Sequence, residues 1–275
     1  MKKLISILGI CLLPVILMNF LNLFQFSYKE YIFTAISVFF LVVGCVILKL
    51  QKPKAKTIRF LKVMPLRGRD LFIIFWFLII ILSGSFILNL LEVSVWDFFG
   101  KDLPVDGISR MSFENLFQTL FTMAVIPSIF EELFFRGAVL SSLEKKSKIY
   151  AIIISSLFFV LMHGSIYYVL STFFVGVALS LLVYATHSVL AAMFVHFLNN
   201  VLSAVLAIYG ERLAATGFGG FAIFGLFFIF LIGVLGALSA VTGKIKRETP
   251  ENTRIYNEGE MVWRKKRKKA KKQVK

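Results

Sequence analysis

The stretch LFIIFWFLIIILSGSFILNLL, residues 71–91, contains no charged side chain in twenty-one positions. A run of that length spans a bilayer core as a helix, which alone satisfies its backbone polar groups within one segment. Similar runs recur along the 275 residues, and 58% of the chain is hydrophobic, above the roughly 45–50% usual for a soluble domain. The pattern predicts an all-α integral membrane protein built as one bundle. Eight spans are expected, near 4–25, 31–49, 71–91, 115–143, 149–164, 166–186, 188–208 and 219–243. The first, MKK followed by apolar residues, is too long for a signal-peptide core and reads as a retained span. The fourth is longer than a bilayer needs, so it tilts, kinks at Pro127 or ends at the interface. Residues 1–243 thus form a single transmembrane domain.

Charge gives the expected orientation. QKPKAKTIRFLKVMPLRGRD, residues 51–70, carries seven Lys/Arg and one Asp, and EKKSK is also basic. The loop from Glu92 to Glu114 instead holds five acidic residues against Lys101 and Arg110. Basic loops stay in the cytoplasm, so both termini are expected there. Residues 244–275, with 13 Lys/Arg and 4 Asp/Glu, form a basic cytoplasmic tail, read as disordered and suited to anionic lipid. No folded nucleic-acid module accompanies it, so nucleic acid is not the expected partner. The whole reads as a multi-pass protein of a bacterial cell membrane. Cys11 and Cys45 lie in apolar runs and indicate no disulfide framework.

Against this background a few polar residues stand out. IFEELFFRGAV, residues 129–139, holds Glu131, Glu132 and Arg136 inside an apolar run. Charges within a bilayer are costly and mark function or pairing. Glu132 and Arg136, four apart with the acid first, can pair along one helix face. Glu131 is turned by about 100° from Glu132 and needs a partner from another helix, or it stays protonated.

Depth adds a second constraint. Glu131 lies twelve residues from Leu143, His163 fifteen from Lys148, and His196 and Asn200 nine and thirteen from His187. At the helical rise these are about 18, 22, 14 and 20 Å. Three spans therefore bring polar groups to a similar level. His187 is about half a turn out of phase with His196 and is excluded from the group. Ser155 and Ser156 read as packing residues, and Gly176, Ala178 and Ser180 allow close helix approach.

A carboxylate and a histidine in a water-accessible cavity can activate water. A second histidine and an asparagine amide can donate to an oxyanion. The same residues offer a zinc alternative, with Glu131, His163 and His196 as ligands. No cofactor is favoured, and zinc stays open.

Three motifs then coincide. EELFFR at 131–136 has the form EExxxR, FVLMH at 159–163 the form FxxxH, and HFLNN at 196–200 the form HxxxN. In this order, on successive spans, they resemble the CPBP family, which holds the type II CAAX prenyl endopeptidases (the Rce1 group) and the bacterial Abi proteins linked to bacteriocin self-immunity. The likeness runs from about residue 113 to 204. It implies an intramembrane endopeptidase with eight helices and a cavity open to the cytoplasm. Glu131 and His163 would activate water, His196 and Asn200 would stabilise the oxyanion, and Glu132 and Arg136 would shape the site. Both metal-dependent and glutamate-dependent mechanisms are associated with the family; the metal-free one is favoured here because an asparagine is a poor zinc ligand. The implied substrate is a membrane-associated peptide or protein. The competing readings are a non-catalytic immunity or scaffold protein of the same fold, and a transporter using the same buried groups.

Overall fold

The computed structural model describes residues 2–21, 29–51, 56–101, 116–214 and 219–247. Among them there is no strand. In chain order the helices are α1 (Lys2–Leu21), α2 (Lys29–Leu50), the one-turn α3 (Thr57–Phe60) and α4 (Gly68–Phe98). Next is α5 (116–143), one unbroken helical stretch assembled from α-helical Leu116–Leu120, Ile126–Glu132 and Leu140–Leu143 with π-helical Phe121–Val125 and Leu133–Val139 between them. Then follow α6 (Lys148–His163), α7 (Val169–Thr186), α8 (Val189–Ala214) and α9 (Gly219–Arg247). Each of the eight apolar runs is helical within the described residues. By length and apolarity, Gly68–Phe98, Val169–Thr186 and Gly225–Lys244 are long enough to cross a membrane, while Ile5–Leu17, Thr34–Leu50, Lys148–His163 and Val189–Val205 are shorter apolar helices.

The chain divides into two compact units, Met1–Val234 and Leu235–Lys275. All the candidate site residues fall in the first. The second opens with the last part of α9; the basic tail expected at 244–275 lies outside the described residues beyond Arg247.

Within the first unit, α5 packs against α2, α6 and α8, while α4 packs on α7 and α8. The apolar core gathers Ile7 and Cys11 of α1, Leu48 of α2, Phe134 and Leu140 of α5, and Phe159 of α6. Ser155 Oγ donates to the Phe135 carbonyl at 3.0 Å, tying α6 to α5. A Cβ on Gly176 would stand 2.9 Å from Ser156 Cβ, so α7 approaches α6 as closely as it does because position 176 has no side chain. The packing role read for these residues is what the structure shows.

α5 does not resolve its excess length as a simple kink at Pro127. It carries two π segments, and Pro127 stands just after the first of them, where the backbone ladder is already rearranged. Each π segment widens the helix locally and shifts the side chains that follow it around the axis.

The basic segment after α2 folds back over the bundle. Lys62 adopts φ +54°, its carbonyl accepts from Val189 N at 2.9 Å, and its ammonium pairs with Glu144 at 2.9 Å. Ser188 Oγ donates to the Met64 carbonyl. A Cβ on Gly137 would meet the Leu61 carbonyl oxygen at 2.9 Å. Residues 61–64 thus form a strap seated on the last turns of α5 and the first of α8.

Glu92 departs from its sequence reading as a loop residue. Val93, Val95, Trp96 and Phe98 carry α4 on to Phe98, and Glu92 is buried. Its carboxylate accepts from the Leu170 and Ser171 amides and from Ser171 Oγ at 2.6 Å. The N-cap of α7, Tyr168, supplies no side-chain acceptor, so Glu92 satisfies the orphan N–H groups from a neighbouring helix and places negative charge at the positive end of the helix dipole. Glu92→Ala is expected to cost about 1–3 kcal/mol of stability and Glu92→Gln less. Thermal melts measure the loss, and faster amide exchange at 170 and 171 locates it.

Candidate active site

Glu132 and Arg136 lie on α5 with 0% exposure each. Arg136 Nη1 donates to Glu132 Oε1 at 2.7 Å, the i,i+4 pair expected from the sequence. The guanidinium also reaches α7, where Nη2 donates to the Gly176 carbonyl at 3.3 Å. Its carbon stands 4.3 Å from the Phe159 ring centroid, a cation–π distance. Taking both charges out of water is costly, and the geometry offsets that cost only if the remaining lone pairs and protons are used.

His196 uses one of them. Its Nδ1 lies 2.9 Å from Glu132 Oε1. A carboxylate only accepts, so Nδ1 carries the hydrogen and Nε2 faces away from α5's pair. Glu132 is therefore the junction between Arg136 on its own helix and His196 on α8. The sequence reading placed all three residues at one level but did not assign His196 to Glu132, because rotation about the axis of α8 is not fixed by depth.

Glu131 occupies the position left to it. Its Oε2 is buried and has no hydrogen-bond partner among the described residues. His196, Glu132 and Arg136 all lie within electrostatic reach of its carboxylate. Glu132 Oε2 and Arg136 Nε are likewise buried without a partner among the described residues. Three such atoms within two turns of one helix are unusual, since buried polar groups almost always pair with protein or water. The cluster has room in its hydrogen-bonding inventory for water.

His163 is the last residue of α6. The helix stops there because Gly164 adopts φ +64°, a left-handed C-cap that costs glycine nothing. His163 Nδ1 lies 2.7 Å from the Phe159 carbonyl and donates to it, which leaves Nε2 unencumbered on an exposed ring. Among the described residues no hydrogen bond joins His163 to Glu131. Phe159, 1% exposed, is what the two histidines share: its ring centroid is 4.6 Å from that of His163 and 5.7 Å from that of His196. The FxxxH motif pairs Phe159 with His163 without giving the ring a role. The spacing of Phe159 to His163, one helical turn, was the available signal that this ring forms a wall of the site.

Asn200 donates from Nδ2 to the Met123 carbonyl at 3.1 Å. Met123 lies in the first π segment of α5, where the backbone ladder is rearranged. One of the two amide hydrogens thereby links α8 to α5 and one is left for another acceptor. His187 caps the far end of α7 at φ +59°, outside the group, as its phase predicts.

The zinc alternative would place Glu131, His163 and His196 around one ion. Among the described residues no three His, Cys, Asp or Glu side chains are grouped to hold a metal. Both histidines commit Nδ1, to Glu132 and to the Phe159 carbonyl, which leaves Nε2 as the nitrogen either could present to a metal. A zinc site needs three protein donors converging on one point about 2 Å away.

Residues 113–202 match the family model described as type II CAAX prenyl endopeptidase, Rce1-like. The matched stretch holds every residue of the three motifs, from Glu131 to Asn200, and covers 90 of the 275 residues. The resemblance drawn from the motifs is thereby borne out for its CAAX-endopeptidase branch; nothing in the match points to the Abi branch or to bacteriocin immunity. No curated protein and no solved structure matches the chain.

Proposed function

We propose, from the likeness of residues 113–202 to the CAAX prenyl endopeptidases and from the unpartnered carboxylate of Glu131, that the chain is an intramembrane endopeptidase acting without a metal. The family match and the apolar helices support a membrane-embedded protease. The finer reading is an eight-span bundle with both termini cytoplasmic, following the basic loops.

The observation that carries the mechanism is Glu131 Oε2, buried without a partner among the described residues beside a committed Glu132–Arg136–His196 set. Glu131 takes a proton from water as the water oxygen attacks the scissile carbonyl carbon. His163, held by the Phe159 carbonyl, presents Nε2 toward the same water. The developing oxyanion is met by His196 and by the second amide hydrogen of Asn200. His196 already gives Nδ1–H to Glu132, so it offers Nε2–H only as an imidazolium. Two carboxylates against one guanidinium leave one negative charge that this proton balances. When the tetrahedral intermediate collapses, the C–N bond breaks and Glu131 returns its proton to the leaving amine. Water has then been added across the peptide bond, and the enzyme is restored.

The substrate is a membrane-associated peptide precursor, a membrane-anchored protein or a prenylated C-terminus. Comparing peptide termini from membranes and medium of cells carrying wild type or Glu131→Ala at matched levels tests the reading. New termini that depend on Glu131 establish the peptidase; identical sets of termini with folded protein would sink it. Activity is also expected to survive exhaustive chelation. Loss on chelation with recovery on added zinc would return the metal alternative.

A further inference from the structure

Beside Asn200 stands a second amide, Asn199, that neither the motifs nor the mechanism uses. Its Oδ1 lies 3.1 Å from Ser85 Oγ on α4, and Ser85 is buried. The other end of the amide has no hydrogen-bond partner among the described residues and is not buried away from access. Asn200 turns toward α5 through Met123, while Asn199 turns toward α4 through Ser85. The two neighbours therefore straddle the face of α8 that lies between α4 and α5. Both helices pack on α8. The half of α5 that borders this face is also the open one: Phe117, Phe121 and Ile129 are exposed, whereas 134–143 is buried throughout and seated under the strap.

Resting on the peptidase reading, we infer that Asn199 is a substrate-positioning residue, hydrogen-bonding the backbone of the peptide segment laid across α8 between α4 and α5. The physical need is specific. A peptide bond offered for cleavage within a membrane must leave regular helix, and its exposed N–H and C=O groups find no water in hydrocarbon. An amide carries both donor and acceptor capacity. One held at one end by a buried serine keeps its other end aimed at a fixed point, which is how a side chain orients a substrate without large ordering cost. Asn199 lies one turn from His196, so a segment bound there runs directly past the reacting groups.

The test uses the full-length protein in detergent or liposomes and a quenched fluorescent farnesylated CAAX peptide as probe. Binding is measured on the Glu131→Gln protein, with and without Asn199→Ala, and cleavage on proteins with Glu131 intact. Asn199→Ala is expected to weaken binding and raise KM about tenfold with kcat within about twofold. Ser85→Ala, which releases the amide but keeps it, is expected to raise KM about threefold. Asn199→Gln, which keeps the amide on a longer arm, should recover part of the loss. A merely structural Ser85–Asn199 link would lower the melting temperature in Asn199→Ala and Ser85→Ala alike and leave KM untouched. If wild type cleaves the probe and Asn199→Ala changes neither KM nor binding, the positioning role is overturned while the peptidase reading stands. If Asn199→Ala weakens binding of a probe that wild type binds but never cleaves, the peptidase reading falls and the binding role of Asn199 remains. If wild type neither binds nor cleaves the probe, both are overturned for this substrate class. Asn199→Ser serves as the replacement variant where Asn199→Ala does not fold.

Discussion

Glu131→Gln is expected to lower kcat by about 10²–10⁴-fold, with KM within a factor of about two. The substitution keeps the shape of the side chain and removes its negative charge, and with it its capacity to take a proton. Nothing else in the described structure depends on that capacity, because Oε2 has no protein partner to lose. Stability should therefore fall little, and the measured quantity that decides is kcat on protein shown to be folded. A variant that keeps full kcat would transfer the base to another group. Glu132→Gln makes the contrast, since it disturbs both Arg136 and His196 and should lower activity and stability together.

The second large effect is on stability. Arg136→Met alone is expected to cost about 3–5 kcal/mol, because it leaves Glu132 as a buried charge without its cation. Glu132→Leu alone should cost a similar amount for the opposite reason. The double variant Glu132→Leu/Arg136→Met removes both charges and is expected to recover most of the loss, retaining about 1–3 kcal/mol for the hydrogen-bonding group of His196 that it strands. Unfolding of the four proteins in one detergent completes a double-mutant cycle. Additive losses would mean that the two charges act independently, against the 2.7 Å contact between them.

The helices were legible because apolar runs long enough to span a membrane leave the backbone little choice. The run at 149–164 becomes Lys148–His163 and that at 166–186 becomes Val169–Thr186. The Glu132–Arg136 pair was legible because i,i+4 spacing is a property of one helix. What lay between helices was not. Whether His196 faces Glu131 or Glu132 depends on how α8 is rotated against α5, and two π segments alter that facing without any residue pattern that announces them. Glu92 was hidden for a related reason: a carboxylate at the end of an apolar run reads as the start of a loop, and its partners, the Leu170 and Ser171 amides, belong to a helix almost eighty residues later. Phe159 stood apart from the other phenylalanines only as the first residue of FxxxH; that its ring also meets His196 depends on how α6 and α8 pack.

The junction at Glu132 also sets an order on biogenesis. On the proposed eight-span reading, α5 leaves the ribosome some fifty residues before His196 does, so for that interval the helix would enter the bilayer with an arginine and two glutamates and without the imidazole. Each such charge weighs about 2.5–3.5 kcal/mol against insertion at mid-bilayer, and the internal ion pair relieves only part of it. The nascent chain therefore has reason to linger at the insertion machinery until α8 arrives, and a product truncated before α8 would carry a charged seam that membrane quality control can recognise.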